Sequence, residues 1–215
     1  MLQMHRVDGQ PTKPKAAKAK KRLNDGGRAM YWSIKFNIEN YFWPLEMPGS
    51  RLTIHPDDML ESNFNLDGVS FTVDRNDDNN RIMPNIGEFL VFGMFLDERA
   101  SREFRSTLTE VGRLFETTWN DRPYELAVID KELDLFDYER SMFTRWGLYD
   151  DIKQEVWEIE RVVIRTPPPD CPDIFRLQGN RSVHFNIIVS DRFKQIYDVN
   201  GFTGLYFRRA DLPLN

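Results

Sequence analysis

Apolar and polar positions alternate in short runs along most of this chain. In MYWSIKFNI, Trp32, Ile34 and Phe36 interleave with Tyr31, Ser33 and Lys35. A period of two predicts a half-buried strand, and the fold proper begins at Ala29. RLTIHPDDML reads as a short strand that ends before Pro56. VSFTV, after the turn chemistry of Asn65-Leu-Asp-Gly68, reads as another. GEFLVFGMFL, from Gly87 to Leu96, is a buried apolar segment. Further strands are expected in Glu125-Leu-Ala-Val-Ile-Asp-Lys131, DIFRLQ, VHFNIIV and TGLYFRR. Residues 152–164 carry both periods; the β-branched residues of their second half favour strands. Pro167-Pro-Pro-Asp-Cys-Pro172 is an extended connector that no helix or central strand can cross.

Two stretches break the strand pattern in the same way. SDRFKQIYDVNG (Ser190–Gly201) and SREFRSTLTEVG (Ser101–Gly112) each place Phe three positions after Ser and Gly eleven after it. In the later copy Ser190 is a helix cap, Phe193, Ile196 and Tyr197 form one apolar face, and Gly201 is a left-handed stop. In the earlier copy Ser101, Phe104, Leu108 and Gly112 take those places. Upstream, Pro84-Asn-Ile and Pro172-Asp-Ile stand at similar distances, each followed by an apolar strand. The expected fold is therefore α+β: a strand-rich mixed sheet with two strand–helix–strand units.

Charge divides the chain. Residues 1–28 hold eight Lys/Arg against two Asp, a net +6, so the remainder carries −11 of the overall −5. The stretch PTKPKAAKAKKRLNDGG has no packing side chains and reads as a disordered basic arm. The expected organisation is this arm (1–28) and a single domain (29–215), divisible into halves 29–122 and 123–215. With 40% apolar residues and 13% aromatics the domain can bury a substantial core. Cys171 is the one cysteine, so no internal disulfide can form; a free thiol places the expectation in the cytoplasm. No apolar run reaches the roughly 18 residues of a membrane helix, and MLQMHRVDGQ lacks the core of a secretory signal.

Candidate chemistry is sparse. His55-Pro-Asp57-Asp58 is the best polar cluster, though its spacing matches no chelating motif and turn capping explains it. Asp74, Asp77, Asp78 and Asn80 lack the Gly and Glu of a calcium loop. His5 lies in the arm, His184 in an apolar strand. Cys171 has no His near it in sequence. There is no phosphate loop, dinucleotide fingerprint, nucleophile elbow or zinc-protease motif. The expectation is a protein that is not an enzyme and that uses no cofactor, metal or small-molecule substrate.

Residues 121–160 hold twelve acidic and five basic residues. Within them, DKELDLFDYE sets aromatics among carboxylates, which suits a partner with a basic surface. The expected contacts are Phe136, Tyr138, Glu139, Asp150 and Asp151.

The C-terminal run PDIFRL … IIVSDRFKQIYDVNGFTGLYFRRADL resembles the close of the myxobacterial-type immunity proteins of bacterial polymorphic toxin systems. Asp137-Tyr-Glu-Arg-Ser141 is similar to that family's mid-chain Asp-x-x-x-Ser, and residues 84–112 to its upstream Pro–strand–Ser–helix segment. The resemblance spans roughly residues 80–212. It implies an antidote that binds one cognate toxin effector and blocks it without chemistry of its own. The matching positions, Asp173, Phe175, Ser190, Phe193, Gly201, Gly204 and Phe207, read as caps, turns and core. Two other classes stay open: a small hydrolase built on His55, Asp57 and Asp58, and a nucleic-acid-associated protein working through the arm. Neither nucleic acid nor a membrane is the expected partner.

Overall fold

A computed structural model describes residues 30–37, 65–72, 82–89, 93–147, 151–184 and 186–210. The basic arm, the cluster at His55, the loop at Asp74 to Asn80, and Asp150 lie outside the described residues. In chain order the elements are β1 (Tyr31–Phe36), β2 (Ser70–Phe71), β3 (Ile86–Phe89), β4 (Gly93–Asp97), α1 (Glu98–Thr109), β5 (Gly112–Trp119), β6 (Arg122–Ile129) and β7 (Glu132–Leu133). There follow β8 (Met142–Arg145), α2 (Ile152–Glu155), β9 (Val156–Arg161), β10 (Ile174–Leu177), α3 (Arg181–His184), β11 (Ile187–Ser190), α4 (Asp191–Asn200) and β12 (Leu205–Ala210). The fold is α+β and strand-rich.

The strands form two mixed sheets and a ribbon. The first sheet runs β12-β1-β11-β10-β7, the second β2-β5-β6-β4-β3, and β8 pairs with β9 alone. The sheets share a plan. In each, an antiparallel hairpin (β3/β4; β10/β11) feeds a helix (α1; α4), and the helix feeds a strand (β5; β12) set two places from the hairpin. One strand, β6 or β1, fills the gap and runs antiparallel to both neighbours. In the second sheet the filler follows directly, through the Asn120-Asp121 turn with both φ positive, 49° and 58°. In the first sheet the filler is β1, from the other end of the chain.

Strand alternation decides which side chains meet. Met94, Leu96, Ala127, Ile129, Ile174, Ile187 and Val189 point to one core shared with Ala100, Phe104 and Leu108 of α1 and Phe193 and Tyr197 of α4. Their neighbours point away. Phe95, Leu126 and Val128 join Phe71, Phe89, Trp119 and Tyr124 in an aromatic cluster behind the second sheet. Phe175, Leu177 and Ile188 join Phe136, Val156, Ile164 and Val183 behind the first. Both sheets are therefore buried on two faces, which explains their near-continuous apolar runs.

Several sequence expectations need correction. Helix α1 starts one turn early: its cap is Asp97, whose side chain accepts from the Ala100 N–H at 2.8 Å. Ser101 lies inside the helix and donates to Glu125 Oε2 at 2.5 Å. Gly112 is no left-handed stop; it opens β5, where an added Cβ would lie 1.9 Å from the Val128 carbonyl oxygen. At residues 152–164 the chain makes the short α2 before β9 rather than strands throughout. Val183 and His184 belong to α3, so the strand read over 183–189 begins at Ile187.

The later copy matches its expectation. Ser190 Oγ accepts from the Phe193 N–H at 3.2 Å, and Gly201 ends α4 at φ 63°.

Candidate functional site

The β8–β9 ribbon stands on the outer face of the first sheet. Its inward side chains, Phe143, Val156 and Ile159, join the cluster around Phe136 and Tyr138. The pairing has irregularities between Met142 and Phe143 and between Phe143 and Arg145. Such bulges add a residue, bend the strand and re-aim side chains. Here they turn Trp146 and Trp157 outward. The two indoles are 48% and 52% exposed, with ring centroids 3.8 Å apart and planes 59° from parallel. Met142, 50% exposed, lies on the same ribbon.

Hydrogen bonds fix the ribbon's approach to this pair. The Trp146 N–H donates to the Glu155 carbonyl at 2.9 Å, and the Gly147 N–H donates to the buried Glu155 carboxylate at 2.6 Å. The Glu158 N–H donates to Thr144 Oγ1 at 3.2 Å. Helix α2 is capped by Asp151, which accepts from the Lys153 N–H at 2.9 Å. Asn180 Nδ2 ties β9 to the segment before α3 by donating to the Val156 carbonyl at 2.8 Å.

The turn before β8 is equally held. Asp137 Oδ1 accepts from the N–H groups of Glu139 and Arg140 at 3.1 and 3.0 Å. Ser141 Oγ exchanges hydrogen bonds with the Val163 backbone at 3.0 and 3.2 Å. The Asp-x-x-x-Ser segment is thus a local clasp, with both side chains spent on backbone. Arg165 pairs with Asp134 at 2.6 Å.

The residues expected as contacts separate by burial. Phe136 is 1% exposed and packs edge-on against Tyr138 at 4.8 Å; it cannot touch a partner while the fold is intact, and its part is to support the ribbon. Tyr138 is half-buried. Burial raises its phenol pKa, and the charges of Asp134 and Asp151 push the same way. Asp151 and Tyr138, far apart in sequence, are therefore neighbours in the electrostatic sense. Glu139 and Asp151 are exposed.

Sequence reasoning missed Met142, Trp146 and Trp157. Simple alternation along β9 puts Trp157 on the face of Ile159 and hides it. The signal lay in the charges beside it, Glu158, Glu160 and Arg161, which leave little apolar surface to cover an indole.

The remaining candidates are committed elsewhere. Cys171 is half-buried against Tyr31, and burial raises its thiol pKa, opposite to what a nucleophile needs. It borders an open pocket of about 430 Å³ with Glu110, Lys131, Asp170, Asp173 and Arg192. Asp173 there already accepts from the Ser190 hydroxyl at 2.5 Å and pairs with Arg192 at 3.1 Å. His184 meets Glu132 and the buried Arg176, whose guanidinium also donates to the Ile129 carbonyl at 2.5 Å. That group clamps β7 and α3 onto β10. Among the described residues no three His, Cys, Asp or Glu side chains converge as a metal site requires, and no helix is long and apolar enough to cross a membrane.

No family model and no curated protein matches this chain.

Proposed function

We propose that this protein is an immunity protein, acting in the cytoplasm, that binds a cognate antibacterial toxin and blocks it by occupying its surface. The observation that carries the reading is the exposed, rigidly supported Trp146–Trp157 pair. Two half-exposed indoles in contact are costly to leave in water, and tryptophan is among the commonest anchors of tight interfaces. The supporting hydrogen bonds hold the ribbon in one shape, which lowers the ordering cost of association. The irregular β8–β9 pairing, with its extra residues on β9, bends the ribbon, and the partner is expected to meet the face that carries the indoles. Tyr138, Glu139 and Asp151 belong to the surrounding surface, and a stable complex would bury on the order of 1,200–2,000 Å².

The test is growth of cells expressing the toxin candidate encoded beside this gene, with and without this protein. Rescue, together with a stable complex on a sizing column, is the expected result. W146A and W157A should abolish rescue while leaving the melting temperature unchanged. D151K should slow association at low salt. Death in every arm, with no complex formed, would overturn the reading.

A further inference from the structure

Aromatic faces near this protein's surface recur with a cation upon them. The Arg99 guanidinium lies 5.5 Å from the Phe202 centroid, Arg113 lies 6.0 Å from Phe115, and the Lys194 ammonium lies 5.2 and 5.1 Å from Trp32 and Phe207. Each cation is also held by an oxygen. Arg99 donates to the Asn200 carbonyl, Arg113 to both oxygens of Asp130, and Lys194 to Asp198. The arrangement has three parts: a ring face, an oxygen anion or carbonyl, and a cation between them.

At the ribbon the ring faces are open, and an exposed carboxylate adjoins one of them in sequence. Trp146 and Trp157 tilt at 59° to one another with about half their surface open. Glu158 follows Trp157 on β9, exposed, with its backbone pinned by Thr144. Among the described residues no cation caps either indole. Indole is the strongest of the side-chain rings for this contact.

We infer that Trp146 and Trp157, with Glu158, form the seat for an arginine side chain projecting from the partner. The inference rests on the antidote reading for the identity of that partner, and on the ribbon's geometry for its chemistry. Arginine is favoured over lysine because a planar guanidinium stacks on an indole while its edge still bonds a carboxylate. The partner face is then basic, with at least one arginine at the centre of the contact.

The test titrates the full chain by calorimetry with a hexa-arginine peptide and with its neutral isostere, hexa-citrulline, at physiological salt. Wild type should bind the first and not the second. W146A and W157A leave net charge unchanged, and each should bind hexa-arginine about tenfold more weakly. W157F keeps a ring and should stay within about threefold of wild type, which separates the seat from a folding defect. E158Q should weaken hexa-arginine more than hexa-lysine. Equal binding by wild type and both alanine variants would reduce the contact to net charge and overturn the inference. Toxin binding lost in W146A and W157A with hexa-arginine binding unchanged would also overturn it, while the antidote reading stands. Hexa-arginine binding lost in those variants, with no toxin neutralised, would support the seat and remove the antidote reading.

Discussion

Phe104 of α1 and Phe193 of α4 stack face to face, with ring centroids 4.2 Å apart and planes 22° from parallel. Each ring comes from the helix of one strand–helix–strand unit, so the stack is where the two units join. Phe104→Ala or Phe193→Ala should each cost about 3–5 kcal/mol. The double variant should cost less than the sum by about 0.5–1.5 kcal/mol, because the ring–ring term is lost only once. Urea unfolding of the two singles and the double checks this; strict additivity would mean the rings do not couple.

The two helix starts are built alike. Asn85 Nδ2 donates to the cap Asp97 at 2.5 Å, and the cap Ser190 donates to Asp173 at 2.5 Å. In both, the cap's backbone N–H donates at 2.8 Å to the carbonyl of the residue just before the hairpin, Asn85 or Asp173. Asp97→Ala and Ser190→Ala should each cost about 1–2 kcal/mol. Asn85→Ala should cost more than a cap partner alone, because Asn85 Oδ1 also accepts from the Thr203 N–H and hydroxyl, both at 3.0 Å. Thermal melts of the three variants order them.

Gly112 is not among the glycines with positive φ and still admits no side chain, since a Cβ would meet the Val128 carbonyl oxygen at 1.9 Å. Gly112→Ala should force β5 from β6 and destabilise by several kcal/mol. Gly68, at φ 75° with open space around it, should lose only about 1 kcal/mol as alanine. If both variants melt alike, close packing is not the reason for glycine at 112.

Glu88 on β3 is half-buried, and that burial raises its carboxyl from 4.5 to about 7, with Lys35 pulling the other way. A raised carboxyl keeps its proton in the folded state after the unfolded chain has released it. Stability from this group is full below pH 4.5 and is lost as pH rises through about 7. Relative to Glu88→Gln, wild type should therefore lose stability between pH 5 and 8. Denaturation midpoints at the two pH values give the answer; parallel behaviour would remove Glu88 as the titrating group.

What the sequence discloses is local. Ser190, Gly201 and the existence of β1 are read directly, because caps, stops and strand patterns depend on neighbours a few residues away; the one-faced burial expected of β1 fails, since Tyr31 and Ser33 are buried as well as Ile34. Pro84-Asn-Ile and Pro172-Asp-Ile also mark matching positions, since Ile86 and Ile174 open matching hairpins. The helix match slips a turn. Ser101 imitates Ser190 in spelling, but Asp97 occupies the cap, and by caps Phe104 corresponds to Tyr197. Strand β5 goes unread because Gly112 looks like a stop and its buried Phe115, Thr117 and Trp119 alternate only once the Asn120-Asp121 turn is recognised. At the candidate site, composition draws attention to residues 130–160 but does not tell exposed aromatics from buried ones: Phe136 is 1% exposed, Trp146 and Trp157 about half. The irregular β8–β9 pairing decides which ribbon side chains face out, and such irregularities leave little trace in sequence.

Strand β1 lies inside the first sheet, between β12 and β11, and this sets the order in which the molecule can be assembled. Trp32 bonds Asp191, 159 positions later, and both neighbours of β1 lie near that far end. During synthesis the β3–α1–β6 unit has all its strands within one short stretch and can close while β1 still has nothing to pair with. Strands β11 and β12, made more than 150 residues after β1, then close on either side of it. Folding of the first sheet is a long loop closure, slow by its topology, and a chain stopped before β11 lacks both of the strands that flank β1.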